Sequence, residues 1–596
     1  MHFPECIYKK EGKNTMESTN KKFVSFIITV AAIFVVGLAC SMGGLTAVTA
    51  TGGAAAFLAF ILAFMPILLV LIGMMGFGLP GIKVAPFAFV LAVLESITFF
   101  ANPERAGGEM ASLLWSNTWA GIVSSIYIMG LILFSFLILN MMQVTGAMDI
   151  VKASISRISG DRRVQIIIIG LFVPIFLEGA AGAGTPAAIA GPFLVGLGFN
   201  PILAATVALM SDGVCTSFGG SGLTTMGGGQ ATIAAGISTL DLNFSMAGWF
   251  HMVGILIMPF LILLTAFGKK AFKGKGIVAY CFWCGICGAL LMLLFSNIIG
   301  GFITDMGVGV LGIVMAVLGL KFIHIETPED LFFQIPQGKG KPKFSFVRAL
   351  SPYIFILVLF PIILTGSKYI YVGSGDARMD LWHAITAKVT YNGWIDILLF
   401  IISLLSILTL RMKMSEYGRC FARSLRRVVG VFIIMASLLA VANIMKITYQ
   451  SGTANGDMSM IKLLAVDLSN IAGGFYPGVS VLIGALGAFI TGTNLGANLL
   501  FAEMHMNAAK ILGINQIVTF AANNAGGSLG NMICPNNVTA ACATVGQTGK
   551  EGAVMKNVAR MFLVTCAIYI ILALVYTYIV FPNISVDSAN VFSAMG

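Results

Sequence analysis

The chain has 596 residues, of which 58% are hydrophobic and 10% charged, with a mean hydropathy of +0.95. Soluble domains hold about 45–50% apolar and about 25% charged residues, so a water-soluble globular enzyme is excluded, and the length allows roughly ten to fourteen membrane crossings at ~20 residues each. The net charge of +11, from 35 Lys and Arg against 24 Asp and Glu, fits basic cytoplasmic loops better than a nucleic-acid partner.

Lys21 and Lys22 precede the first apolar run, Phe23–Cys40. It is long for a signal segment, and Gly37 stands where a lipoprotein cleavage site carries a large aliphatic residue. It reads as the first transmembrane helix, behind a cytoplasmic tail of residues 1–22. Further apolar runs fall at 54–77, 84–100, 118–142, 246–267, 277–298, 303–320, 349–366, 394–410, 429–445 and 557–581. Regions 164–240 and 472–548 are apolar but crowded with Gly, Pro, Asn, Ser and Thr.

Basic residues cluster in four connections: Lys152 to Arg163, Lys269 to Lys275, Lys321 to Arg348, and Arg411 to Arg427. With the N-terminus they make five loops, and the positive-inside rule puts all of them in the cytoplasm. No barrel alternation is visible, and only helices or closed barrels satisfy the backbone in lipid. The expected fold is all-α and polytopic, with roughly 12–14 transmembrane helices. Cys281, Cys284 and Cys287 read as helix packing rather than a metal site or disulfide framework.

The first region holds Leu177-Glu178-Gly-Ala-Ala-Gly182-Ala-Gly184-Thr185-Pro186, then Leu197-Gly198-Phe199-Asn200, then Ser211-Asp212 and Ser217 to Gly222. The second holds Thr491-Gly492-Thr493-Asn494, then Leu512-Gly513-Ile514-Asn515, then Asn523-Asn524 and Cys534-Pro535. Each half thus has a polar break, an L-G-x-N turn, an apolar helix and a second break. Breaks at membrane depth are tolerated where they line a cavity, and paired broken segments point to a transporter site. Close helix packing explains the glycines but not the Asn, Thr and Ser beside them. This gives a first repeat over 23–267, broken near 176–225, and connecting helices with basic loops over 268–428. A second repeat follows over 429–582, broken near 490–500 and 521–540, then a tail over 583–596. The two repeats are expected to be inverted.

L-E-G-A-A-G-A-G-T-P-A-A-I-A (177–190) followed by G-L-G-F-N-P (196–201) resembles the signature of the lactate permease family. T-G-T-N (491–494), A-A-N-N-A-G-G (521–527), M-I-C-P-N (532–536) and G-K-E-G (549–552) are similar too. The likeness runs from about residue 50 to 582. It implies a multi-pass protein of the cell membrane that imports L-lactate or a related 2-hydroxymonocarboxylate such as glycolate by proton symport. A small monocarboxylate would be its substrate and lipids its surroundings, with no cofactor; the sequence leaves the oligomeric state open. The departures redistribute charge. Members usually read T-G-S-D where Asn494 ends the motif here, and G-K-M-I-S-P-Q where Asn531 follows Gly530. Asp212 stands where members tend to carry a neutral Asn.

Intramembrane charges are functional hypotheses by default. Glu178 and Asp212 are the expected ion-coupling residues. The alternatives are a Glu178 carboxylate held by backbone N–H groups of the break, and an Asp212 that fixes Ser211 or the following turn. Expected substrate contacts are Gly182, Gly184, Thr185, Thr493, Asn494, Asn498, Asn523 and Asn524; the same oxygens would suit sodium. Lys446 is either a charge partner for the substrate or a snorkelling residue. Glu95 reads as interfacial, and Glu551 as the acid of a helix start. His505 reads as a satisfied structural histidine or a group titrating near neutrality. No phosphate-cradling loop and no H-E-x-x-H supports an enzyme. A sodium-coupled carrier of another acid and a non-transporting membrane subunit remain the rival readings.

Overall fold

The structure, a computed structural model, describes residues 24–32, 35, 54–73, 77, 79, 81–101, 107–155, 158–182, 185–332, 345–360, 371–372, 379–380, 394–448, 450–453, 456–547, 550–588 and 591. It is helical almost throughout, as an apolar chain with no water to satisfy its backbone must be. The helices are α1 (Ala54–Leu71), α2 (Gly81–Ile97), α3 (Gly107–Thr145), α4 (Ala147–Ile155), α5 (Arg162–Ile167), α6 (Val173–Ala181), α7 (Thr185–Gly196), α8 (Pro201–Asp212), α9 (Gly219–Ala234) and α10 (Leu240–Phe267). They continue with α11 (Ile277–Leu294), α12 (Thr304–Phe322), α13 (Phe346–Phe360), α14 (Trp394–Thr409), α15 (Met414–Ile447), α16 (Met460–Ala472), α17 (Tyr476–Thr491), α18 (Asn494–Leu512), α19 (Gln516–Ile533), α20 (Pro535–Thr544) and α21 (Glu551–Val575). Two short antiparallel strand pairs, Tyr371–Val372 with Met379–Asp380 and Gln450–Thr453 with Gly456–Met458, lie outside the all-α expectation.

Helix boundaries follow the apolar runs closely. Among the described residues seven helices are long and apolar enough to cross a membrane, and the bent pair Pro201–Asp212 with Thr216–Ala234 makes an eighth if counted as one. The broken regions hold half-length helices: α7 and α8 have 12 residues each and α20 has 10, against ~20 for a span.

Two compact units are formed, Met1–Ser125 with Gly430–Ile471 and Ile126–Val429 with Ala472–Gly596. In the first, Gly121 lets α3 approach the backbone of Ala440 on α15, and Asn443 donates to the Asn117 carbonyl. Glu95 lies inside this unit. Its carboxyl is fully buried beside Thr29, Leu62 and Leu91, because α2 turns that face into the unit.

The second unit holds both glycine-rich regions, and its basic connections meet on one side. Buried Arg163 pairs with Asp161 at 2.7 Å and donates to the carbonyls of Lys273 and Glu326. Lys270 pairs with Asp330, whose carboxyl is held below its usual range by that hydrogen bond. Arg348 donates to the Thr409 carbonyl, tying in the next basic segment. Cys281 and Cys284 are buried and Cys287 half-buried on α11, as packing residues would be.

The two L-G-x-N turns have the same local geometry. In each, glycine adopts a positive φ (Gly198 +79°, Gly513 +64°) and the next residue's N–H closes back on the preceding helix. The Asn side chain then caps the following helix, Asn200 for α8 and Asn515 for α19, by accepting two backbone N–H groups. Their positions differ. Arg162 of the basic side donates to Gly198 O. Asn515 donates to the carbonyls of Pro582 and Ile584 at the far end of α21. That end packs on Trp249 in the first half of α10, whereas α10 finishes at Gly268 in the basic side. Helices α8 and α19 therefore enter from opposite ends.

Candidate functional site

The ends of α8 and α19 meet where both chains break. Asn531 donates to Asp212 Oδ2 at 2.6 Å and to Thr216 Oγ1 at 3.3 Å. Two of the departures noted in the sequence, an acid gained at Asp212 and a base absent at Asn531, thus form one contact. The Thr216 hydroxyl donates to the Asp212 carbonyl at 2.6 Å. Ser211 instead bonds Gly170 O, so the Asp212 side chain does not fix it.

Glu178 lies near the end of α6, where Gly182 turns the chain with φ +58° and ψ −161°. A side chain at Gly182 would meet the backbone N of Gly220 at 2.9 Å, so the first break packs directly on the second. The Glu178 carboxyl lies between Gly219, where a Cβ would collide with Oε1, and the Asp212 carboxyl at hydrogen-bonding range. No donor reaches Glu178 Oε2 or Asp212 Oδ1. Both residues are buried.

The turn after α8 then carries Ser217, adjacent to Thr216, into a second network. Ser217 donates to Asn524 O (3.2 Å) and lies 2.7 Å from Nε2 of His251, whose Nδ1 is 3.1 Å from the Tyr569 hydroxyl. Asn494 and Asn498 each donate to Asn524 Oδ1, at 3.0 and 2.8 Å. Asn523 donates to Asn498 Oδ1 at 3.0 Å; its own Oδ1 is 3.0 Å from His505 Nε2, and His505 Nδ1 is 3.0 Å from the Tyr476 hydroxyl. Asn524 Nδ2 donates to Thr225 Oγ1 at 2.7 Å.

Asn523 Oδ1 can only accept, so His505 carries its proton on Nε2 and accepts from Tyr476. The Ser217 hydroxyl lies within reach of both Asn524 O and His251 Nε2. Two Tyr–His arms thus lead inward, and the chains end on the two oxygens of Asn524. Asn494 Oδ1 is a buried acceptor with no partner, pressed on Gly527.

The expected site residues thus divide. Glu178 and Asp212 are in contact, and Asn494, Asn498, Asn523 and Asn524 form one cluster. Gly182 lines the meeting of the breaks. Thr493 caps α18, its hydroxyl accepting the Gly496 N–H. Gly184 and the side chain of Thr185 lie outside the described residues. Lys446 belongs to the other compact unit, near the end of α15. His505 is satisfied on both nitrogens. Reading the sequence missed His251, Tyr569, Tyr476 and Asp305. A histidine inside the apolar run 246–267 was an available signal; two tyrosines in apolar helices carried none.

A cavity of about 430 Å³ beside α6 is lined by Phe176, Leu177, Phe193, Val310, Ile313 and other apolar groups. Its lining suits hydrocarbon rather than a hydroxy acid.

The family model described as L-lactate permease matches residues 59–371 and 384–580. The L-lactate permease of Salmonella typhimurium is 28% identical over 562 residues, 87% of this chain and 96% of that protein. Glycolate permease GlcA of Escherichia coli is 26% identical over 569 residues, 88% of this chain and 96% of that protein. A solved transporter, YdaH of Alcanivorax borkumensis, is 14% identical with a TM-score of 0.44, over 87% of this chain and 98% of that one. With the family model matched along most of its length, this integral membrane chain belongs to the L-lactate permease family.

Proposed function

We propose that the protein imports L-lactate, or a related 2-hydroxymonocarboxylate such as glycolate, across the plasma membrane by proton symport. The observation that carries this reading is the convergence of donors on Asn524. The N–H groups of Asn494 and Asn498 and the hydroxyl of Ser217 all point at its oxygens. A carboxylate displacing the Asn524 side-chain amide would accept the Asn494 and Asn498 bonds more strongly, because charge-assisted hydrogen bonds are about twice as strong. Asn494 Oδ1, left without a donor, suits the substrate's hydroxyl. Inward donors disfavour sodium at this spot, since sodium needs oxygens turned toward it. The names of the relatives, L-lactate and glycolate permeases, support the substrate class.

Proton coupling rests on the acid pair. A hydrogen bond between two carboxyl groups needs a proton on one of them, and Glu178 and Asp212 stand at that range. The opposed entry of α8 and α19 supports inverted repeats that work by alternating access. The common side of four basic segments supports a cytoplasmic N-terminus.

Uptake of radiolabelled L-lactate into proteoliposomes, with proton and sodium gradients imposed separately, tests the reading. Accumulation driven by the proton gradient alone is expected. Accumulation only with sodium, or none with either gradient, overturns it.

A further inference from the structure

Helix α12 begins beside the acid pair. Its first turn carries Asp305, which is 1% exposed, and neither carboxylate oxygen has a donor. The residue does not cap its helix, since no backbone N–H reaches it. Its Cβ is seated on Gly179, the residue after Glu178: a side chain at Gly179 would meet Asp305 Cβ at 2.6 Å and the Met306 N at 2.8 Å. Glycine there lets α12 pack directly on α6, one residue from Glu178.

Four buried carboxylate oxygens from three helices therefore lack donors: Glu178 Oε2, Asp212 Oδ1 and both of Asp305. The other groups facing them are the Asn531 amide and the Cys215 thiol, with no Lys or Arg among the described residues that act on Glu178. Three uncompensated charges cannot be held together in a low-dielectric interior. The cluster needs a positive ligand. Among the described residues no three His, Cys, Asp or Glu side chains are placed to hold a metal ion, and a proton on one or more of the carboxyls neutralises the cluster with the groups present.

We propose that Asp305 is a third carboxyl of the coupling centre, sharing protons with Glu178 and Asp212 so that the three titrate as one unit. It rests on the proton-symport reading above and extends it. Each proton enters from one side of the membrane onto a carboxylate oxygen and leaves from it to the other, with no other bond made or broken. The competing account is an acid that merely complements the α12 dipole.

Infrared difference spectra of the reconstituted protein, titrated with pH, test this without any substrate. The carbonyl stretch of protonated carboxyls is followed in wild type, Glu178→Gln, Asp212→Asn and Asp305→Asn. In Asp305→Asn a protonated-carboxyl band should disappear, and the midpoint of the remaining band should move by about tenfold or more in proton affinity. An unchanged band with an unchanged midpoint overturns the proposal, whatever lactate does. Where Asp305→Asn fails to assemble, Gly179→Ala, which displaces Asp305 but keeps every carboxyl, should move the same midpoint, and a fixed midpoint again overturns it. Transport supplies the second readout. The ratio of proton-driven lactate accumulation to lactate exchange without a gradient should fall about tenfold or more in Asp305→Asn, and an unchanged ratio counts against Asp305. A wild type that titrates as expected yet carries no lactate would strike the substrate reading alone.

Discussion

Asn524 is where the second network is most exposed to damage. Its side chain makes three hydrogen bonds, with Asn494, Asn498 and Thr225. Interhelical bonds of this kind in membrane proteins each contribute about 0.6 kcal/mol, and up to about 1.7. Asn524→Ala strands two amide donors and a hydroxyl at once, so thermal unfolding in detergent should show a loss of roughly 2–4 kcal/mol. A loss below about 0.5 kcal/mol would mean that water or rearranged amides replace all three bonds. At this scale the sequence was only partly legible. Asparagines beside a broken helix announced a polar site, and Glu178 announced itself as a charge within an apolar run. Their pairing did not, because side chains more than 300 residues apart, such as Asp212 and Asn531, meet through tertiary packing. Asp305 was hidden for a different reason: an acid in the first turn of a helix already has an ordinary explanation.

The elements that matter most are the breaks, and glycine there acts through space as well as through torsion. Gly219 has φ −58° and ψ 145°, which any residue adopts, yet a Cβ would collide with the Glu178 carboxyl. Gly196 ends α7 with open space around the corresponding position. Gly219→Ala should therefore reduce lactate uptake about tenfold or more, by shifting the carboxyl from its partner. Gly196→Ala should stay within about twofold of wild type, at equal amounts in the membrane. Equal effects of the two would show that the contact does not govern transport. Helix limits were readable from hydropathy, and the Asn caps from the L-G-x-N repeats. The half-length of α7, α8 and α20 was not, because a hydropathy run does not reveal that a polar break divides it.

Over the whole of the larger unit, the two turns lie at opposite ends although their sequences match. Cysteines placed beside them, at Gly196 and at Ile511, both exposed, should label from opposite faces in intact cells once reactive native thiols are removed. An impermeant reagent should reach Ile511→Cys from outside and Gly196→Cys only after permeabilisation. Labelling of both from one face would sink the opposed arrangement. That the basic segments of this unit share one side was legible from charge alone, since the positive-inside rule groups such loops on a single face. The opposition of the turns was not, because an identical local motif folds identically whichever way it faces. The two networks also share a hinge point. Thr216 touches Asp212 and Asn531, while its neighbour Ser217 touches Asn524 and His251. If the proton and the carboxylate bind where we propose, thermodynamic reciprocity applies across this turn of three residues: whatever factor the anion's arrival imposes on proton affinity at the acids, protonation returns to the anion's affinity in equal measure. On that reading a single dipeptide makes each ligand the other's effector.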